Sequence, residues 1–301
     1  MKSAPAGFSS RRLRWWLVLA AALALAACSV IRIGYNHADT LIVTTLDEYL
    51  DLDDEQTQWA RGRAAALLDW HRSTQLRGYA AVVESARAKL AGPVTAADVL
   101  AFNGAVNARL AALGERAAPD LAQLALTLKP AQLDRASREL GSDIAKSRRK
   151  LTKVAAKEAL EVRVEEYADR VDTWLGSVSR EQLALLRSAV ADRSADAEWW
   201  VGERELRHRE LMAVLRRIQT EQPSEAVATE WMRAYFERLS RPPETDRRAK
   251  IEAFRSRNAV LIAAVINSAT PRQRAHLSAR LGNYVEDFDA LAAGRPALPP
   301  G

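Results

Sequence analysis

Apolar side chains recur along most of this chain at intervals of three and four residues. One such series consists of Leu160, Val164, Tyr167, Val171 and Trp174. A second series, near the carboxyl end, consists of Leu277, Leu281, Tyr284, Phe288 and Leu291. Because an α-helix completes a turn about every 3.6 residues, these steps place the apolar residues on one helix face. No convincing run alternates apolar and polar β-branched residues, so the pattern predicts an all-α fold.

Four of the predicted helices begin with a similar short sequence. The four starts are Leu52-Asp53-Asp54-Glu55-Gln56, Leu128-Lys129-Pro130-Ala131-Gln132, Val178-Ser179-Arg180-Glu181-Gln182 and Ala269-Thr270-Pro271-Arg272-Gln273. An Asp, Ser or Thr can cap a helix, and a Gln three residues later can reach back to the backbone amide of the capping residue. This reciprocal capping is predicted for Asp53 with Gln56, Ser179 with Gln182, and Thr270 with Gln273. Gln132 stands at the same position in the second copy, where Lys129 replaces the capping residue.

The helix starts belong to a longer internal repeat. Residues that match between its two copies include Trp70 with Trp200, Thr95 with Ser224, Gln56 with Gln182, and Gln132 with Gln273. The repeat predicts a helical bundle built from two related four-helix halves, residues 39–141 and residues 179–293. A long charged helix over residues 142–178 is predicted to join the two halves.

The first residues are organised like a bacterial export signal. Basic residues come first, and the uncharged apolar stretch Trp15–Ala27 that follows is too short to cross a bilayer. The stretch ends in Leu25-Ala26-Ala27-Cys28, which resembles the lipobox of bacterial lipoproteins. We therefore predict a signal peptide over residues 1–27, lipidation of Cys28 with palmitate-type chains, and a lipidated linker over residues 28–38. A short signal anchor with an incidental buried cysteine is the alternative.

Ser29 bears on which membrane the predicted lipoprotein occupies. In lipoproteins an Asp after the lipidated cysteine is the usual signal for staying in the inner membrane. Ser29 therefore predicts the outer membrane, with the protein on its periplasmic face. Ser10-Arg11-Arg12 also suggests a twin-arginine signal, but the Leu13-Arg14 that follows favours ordinary export.

Removal of the signal changes what the composition implies. The whole chain has 44 Lys and Arg against 38 Asp and Glu, a net charge of +6. Residues 1–27 hold four basic residues and no acidic one, which leaves a mature chain with a net charge of +2. A nearly neutral chain is not expected to bind nucleic acid. The single cysteine excludes an internal disulfide and a multi-cysteine zinc site. At the carboxyl end, residues 294–301 contain three prolines and are predicted to form a disordered tail.

An acidic cluster surrounds the first helix start. It comprises Asp47, Glu48, Asp51, Asp53, Asp54 and Glu55. The cluster lacks the glycine and the terminal glutamate of a calcium loop, so we expect its members to favour the positive end of a helix dipole. No two of the four histidines have the i, i+4 spacing of a helical metal site. The sequence therefore predicts neither a metal nor another cofactor.

Two further segments are candidates for contact with a partner. The basic run Lys146, Arg148, Arg149, Lys150 and Lys153 is followed by glutamates. It predicts a solvated helix face with i, i+4 ion pairs, and contact with anionic lipid or peptidoglycan is the alternative. Trp199 and Trp200 are adjacent, and a helix cannot place both rings on one face. One ring is therefore expected at a surface or between the halves, where a partner could bind.

Two resemblances rest on these residues. The chain resembles an uncharacterised proteobacterial lipoprotein family at four segments, which are Gly34-Tyr35-Asn36-His37-Ala38-Asp39, residues 46–56, Trp70-His71 and residues 270–273. This resemblance covers essentially the whole mature chain and implies a lipid anchor and a helical fold without an activity. The four helix starts are similar to the Leu-Thr-x-x-Gln motifs of the periplasmic Spy and CpxP proteins, which are small helical ATP-independent chaperones and stress modulators.

Taken together, the sequence predicts a non-enzymatic lipoprotein that faces the periplasm and has a binding or structural role in the envelope. Its partners would be the membrane, through Cys28, and an envelope protein or an unfolded client. A chaperone-like or stress-modulating role is the first alternative, and it implies an exposed apolar concavity with a charged rim. A hydrolase or a metal-binding protein is the second alternative, and it requires a pocket where Asp47, Asp51, Asp69 and His71 converge.

Overall fold

The computed structural model describes residues 31–152, 156–191 and 194–294, and it is helical nearly throughout. Residues 31–36 are helical. The helices that follow are α1 (Ala38–Leu50), α2 (Asp54–Thr74), α3 (Leu76–Lys89), α4 (Ala96–Thr127), α5 (Pro130–Thr152), α6 (Ala156–Leu175), α7 (Arg180–Ala191), α8 (Ser194–Glu221), α9 (Glu225–Ser240), α10 (Thr245–Asn267) and α11 (Pro271–Ala292). No strand occurs within the described ranges, which confirms the all-α prediction.

The helices begin where the capping chemistry predicts. Asp53 caps α2 and Thr270 caps α11, each in a complete capping box with the glutamine three residues on. Ser179 and Gln182 exchange the same two hydrogen bonds at the start of α7, at 2.8 and 3.1 Å. At the start of α5 the Lys129 N–H donates to the glutamine side chain at 2.9 Å, without a capping side chain in return. All three predicted capping pairs are therefore confirmed.

Helices from the two predicted halves are interlocked. The most extensive contacts join α4 to α9, α3 to α11, and α5 to α8. In each of these pairs one helix comes from residues 39–152 and the other from residues 194–292. The segments 39–141 and 179–293 thus share their interior, although two related halves predicted from the sequence could equally have packed side by side.

Small residues allow the central helices to approach each other closely. Ala118, Ala122 and Ala125 of α4 are fully buried in a cluster with Ala228 and Met232 of α9. Ile218 of α8 is fully buried in the same cluster. An alanine adds little side-chain bulk, so two helices with alanines at their contact can pack at a short distance. The interior of this bundle therefore depends on shape as well as on buried apolar area.

A buried group of charges joins α8 to α10. Arg247 is 7% exposed and donates to Glu203 and to Glu210, with N···O distances of 2.9 Å for both pairs. Arg207 also donates to Glu203 at 2.7 Å. Burial opposes ionisation of Glu203, but the hydrogen bonds from Arg247 and Arg207 outweigh burial and hold the pKa of that carboxyl below its ordinary value.

The chain before α1 differs from the predicted linker over residues 28–38. Residues 31–36 are helical and packed against the bundle. Arg32 forms an ion pair with the buried Asp287 of α11, with Nε and Oδ1 3.0 Å apart. The hydroxyl oxygen of Tyr35 lies 2.9 Å from Nδ1 of His71. These contacts hold residues 31–36 against the bundle, and lipidation of the preceding residues stays a prediction.

The predicted joining helix over residues 142–178 also has different bounds. Its first part is the end of α5, which starts earlier, at Pro130, and continues to Thr152. Its second part is α6, which ends at Leu175, and residues 153–155 lie outside the described chain. Of the predicted tail, Gly294 alone is described. Among the described helices, none is long and apolar enough to cross a membrane.

Candidate functional site

Gln56 and Gln132, each at the third position of its helix, form a reciprocal pair of side-chain amides. Nε2 of Gln132 donates to Oε1 of Gln56 at 2.7 Å, and Nε2 of Gln56 donates back to Oε1 of Gln132 at 3.3 Å. Both side chains are buried. Burying an amide costs free energy unless its donors and acceptors have partners, so the other hydrogen bonds of each glutamine matter.

Backbone groups in two turns supply those other hydrogen bonds. Each Oε1 accepts the N–H of the residue before its own helix. Nε2 of Gln132 also donates to the carbonyl of Asp51 at 2.9 Å, and Nε2 of Gln56 donates to the carbonyl of Thr127 at 3.1 Å. Gln132 thereby joins the start of α5 to the end of α1, and Gln56 joins the start of α2 to the end of α4. The pair fixes the α1–α2 turn against the α4–α5 turn.

Gln182 and Gln273 form a second pair with the same reciprocal amide hydrogen bonds. Nε2 of Gln273 donates to Oε1 of Gln182 at 3.1 Å, and Nε2 of Gln182 donates back at 3.3 Å. Gln273 also donates to the carbonyl of Ser177 at 2.9 Å. Gln182 has no exposed surface at all, although it is polar. The second pair fixes the α6–α7 turn against the start of α11.

The α1–α2 turn, which binds Gln132, and the α6–α7 turn, which binds Gln273, are also built alike. The α1–α2 turn begins with Asp51 in a left-handed conformation, with φ of 54°, and the α6–α7 turn begins with Gly176, with φ of 74°. Asp and Gly are residues that tolerate this conformation. The reciprocal amide hydrogen bonds of both pairs and the similar turns support the internal repeat, which stays a prediction.

The capping residues of the first pair are joined by an ion pair. Nζ of Lys129 lies 3.0 Å from Oδ2 of Asp53. The hydrogen bond from the Gln56 N–H and the interaction with Lys129 lower the pKa of Asp53. This ion pair adds a further link between the start of α2 and the start of α5.

The paired glutamines were predicted as helix starts, but their pairing was missed. A capping box is a local pattern, whereas each pair joins residues that are 76 or 91 positions apart. The one signal in the sequence is that each half carries two copies of a motif whose glutamine is uncharged and can be buried. Chemically, such amides hold and orient backbone, and they offer no nucleophile or acid–base group.

Trp199 lines a groove between α8 and α10, and Trp200 lies next to it in the chain. Their rings meet edge to face with centroids 4.9 Å apart, and Trp200 packs in the same way against Phe254 at 5.0 Å. The neighbouring rings thus touch each other, where the sequence predicted that they would diverge. Both side chains are half-buried.

The groove beside these rings has a volume of about 470 Å³ and combines apolar and charged walls. Its lining residues are Asp196, Glu198, Trp199, Lys250, Ala253, Phe254 and Arg257. Arg257 and Asp196 form an ion pair at 2.7 Å at its edge. An open groove with a ring on one wall and charges of both signs can bind an extended segment of chain.

The residues proposed for the hydrolase alternative do not converge. Asp47, Asp51 and Asp69 are exposed, and His71 is half-buried. Asp51 and Asp69 are held apart by α2, in which 15 residues span about 22 Å. No group of three or more metal-ligating side chains occurs within the described residues. The acidic residues Asp54 and Glu55 instead occupy the first turn of α2, as predicted.

The basic run of α5 makes ion pairs within the described structure. Lys146 binds Asp143 at 2.8 Å, and Arg148 binds Glu205 of α8 at 2.6 Å. Lys146 thus pairs at i, i+3 and Arg148 pairs between helices, while the side chains of Lys150 and Lys153 lie outside the described part of the chain, so the predicted i, i+4 pairing stays a prediction.

A ring cluster around His71 has no counterpart among the sequence predictions. The His71 ring lies 5.8 Å from Tyr35 and 5.3 Å from Tyr79, measured between centroids. Tyr79 in turn contacts Phe288 of α11 at 5.8 Å. Burial lowers the pKa of His71, so the ring is held neutral to lower pH than a free histidine.

Cys28 lies outside the described residues.

Replacing Gln182 with Leu tests whether the amide pairs stabilise the fold. Gln182→Leu removes two hydrogen bonds across the pair and leaves the buried amide of Gln273 short of partners. We expect a loss of about 2–3 kcal/mol in the free energy of unfolding, measured by chemical denaturation. The matched control is Asp98→Ala, which breaks an exposed capping box without a buried partner. Equal losses for the two variants would show that the glutamine acts as a cap alone.

Comparison with known proteins gives one match. A family described as a family of unknown function (DUF6279) matches residues 48–232, which is more than half of the chain. Three of the four paired glutamines and both adjacent tryptophans fall within the matched residues. No curated protein and no solved structure matches the chain.

Proposed function

We propose that this chain, which belongs to the DUF6279 family, is a lipoprotein anchored through Cys28 to the outer membrane and facing the periplasm. Its role there would be non-enzymatic, either binding or structural. The observation that carries the proposal is the lipobox-like Leu25-Ala26-Ala27-Cys28, which ends an apolar stretch and contains the sole cysteine of the chain. Several acyl chains on one residue would hold a soluble domain stably at a membrane, where one chain binds marginally.

The anchor is tested by Cys28→Ser. A hydroxyl group cannot replace the thiol in acylation, so we expect no incorporation of labelled palmitate and an unprocessed or mislocalised protein. The measurement is palmitate labelling together with fractionation of the two membranes. Unchanged labelling and unchanged membrane fractionation of Cys28→Ser would contradict the proposal.

Ser29→Asp is the matched control for this experiment. It retains the thiol, so acylation is expected to persist while the protein moves to the inner-membrane fraction. The pair of variants thus separates lipidation from sorting between the membranes.

A second function is favoured by the groove beside Trp199. An apolar wall of Trp199 and Phe254 with a rim of Asp196, Lys250 and Arg257 has the character expected for binding partly folded chains. Apolar rings would contact the exposed side chains of a client, and charges of both signs would keep the complex soluble. This supports a chaperone-like role in the envelope, independent of ATP.

Trp199→Ala tests the chaperone-like role. We expect an excess of the purified mature protein to suppress aggregation of a model client, followed by light scattering, and Trp199→Ala to weaken the suppression several-fold. Trp174→Ala is the matched control, because Trp174 is exposed and stacks on Tyr284 of α11, outside the groove lining. Absence of suppression by the unmodified protein, or equal loss in both variants, would refute this role.

A further inference from the structure

The proposed anchor lies very close to the folded body. Helical structure is present from residue 31, three positions after Cys28. Three residues span at most about 10 Å, so Cys28 cannot lie farther than that from the start of the described chain. A lipidated Cys28 would therefore place the first helical residues at the membrane surface.

The first helical residues are also fixed to the bundle. The ion pair from Arg32 to Asp287 leaves the two side chains 15% and 3% exposed. Tyr35 contacts His71 of α2 through its hydroxyl oxygen at 2.9 Å. A partly buried ion pair and hydrogen bond on one side of the segment set which side faces outward. The body would therefore meet the membrane in a defined orientation, and would not hang from a free tether.

The outward side of this segment is uncharged and carries two large apolar residues. Ile33 is 43% exposed and Leu41 is 58% exposed. The exposed residues from 33 to 45 are Ile33, Gly34, Asn36, His37, Thr40, Leu41, Thr44 and Thr45. Asp39 is half-buried, and at 100° per residue it projects from the side opposite this face.

Helix α6 shows that an uncharged face is not a general property of the chain. It occupies the position of α1 in the predicted repeat, because each precedes a helix that begins with a paired glutamine. Its exposed residues include Glu161, Glu165, Glu166, Asp169, Arg170 and Asp172. In α1 the uncharged stretch ends at Thr45, because Asp47 and Glu48 are exposed in its last turn, so the uncharged residues are those nearest the proposed anchor.

We propose that the exposed face of residues 33–45, here called the α1 face, lies on the phospholipid bilayer with Ile33 and Leu41 at the boundary between headgroups and acyl chains. The proposal rests on the anchoring of Cys28 proposed above. An apolar and uncharged helix face lying in the membrane plane is stabilised by burial of its apolar side chains, and nearby lipid anchorage keeps it at the surface. The bilayer is the occupant because Cys28 would hold it within reach.

The sole cysteine makes a direct experiment possible. Once its sulfur is acylated, a cysteine introduced elsewhere is the one free thiol of the protein. Leu41→Cys, labelled with an environment-sensitive fluorophore, is placed with its lipid anchor in vesicles of phosphatidylethanolamine and phosphatidylglycerol. Brominated phospholipids serve as quenchers, and Ile33→Cys gives a second position on the α1 face. Val260→Cys is the matched control, because Val260 is 60% exposed and lies on α10.

We expect a blue-shifted emission at positions 33 and 41 and several-fold stronger quenching by brominated lipid than at position 260. Equal quenching at the three positions would overturn the proposal. A blue shift without lipid quenching would also overturn it, and would assign the α1 face to a protein partner or a second copy of the chain. Palmitate labelling of the same sample distinguishes these results from failure of the anchor, since an unlabelled Cys28 removes the proposed function and the inference together.

Discussion

A buried amide is tolerated in a protein interior when its hydrogen bonds are satisfied, and this requirement organises the bundle. Each glutamine pair satisfies it by joining a second glutamine and the backbone of two turns. The α1–α2 turn can therefore take few positions relative to the α4–α5 turn, and the α6–α7 turn is similarly held to the start of α11. The pairs thereby join the start of α2 to the start of α5, and the start of α7 to the start of α11.

The interlocked packing builds on those fixed turns. The contacts between α3 and α11 and between α5 and α8 join opposite parts of the chain, and α4 packs along α9 through alanines such as Ala118 and Ala122. Contacts of this kind add stability once the helices are already directed towards each other. Removing α10 and α11 would deprive Gln182 of its partner and α3 of its main contact, so residues after the matched segment 48–232 belong to the same folded body.

The sequence predicted what local patterns determine. The caps at Asp53, Ser179 and Thr270 were predictable because each involves residues three positions apart. The pairing of glutamines was not, because an amide three residues into a helix can face solvent equally well. The docking of residues 31–36 was missed for the same reason: Asp287, which binds Arg32, lies near the other end of the chain. For the adjacent tryptophans, periodicity gave the direction of each side chain, but ring contacts depend on rotamers that a sequence pattern does not specify.

The central claim is that the four paired glutamines hold the bundle together from its interior. Side-chain amide hydrogen exchange, followed by nuclear magnetic resonance, tests it without changing the protein. The account predicts that the side-chain amides of Gln56, Gln132, Gln182 and Gln273 exchange as slowly as the most protected backbone amides of α4, while the exposed Gln58 exchanges freely. Exchange of the four glutamines at the rate of Gln58 would contradict it.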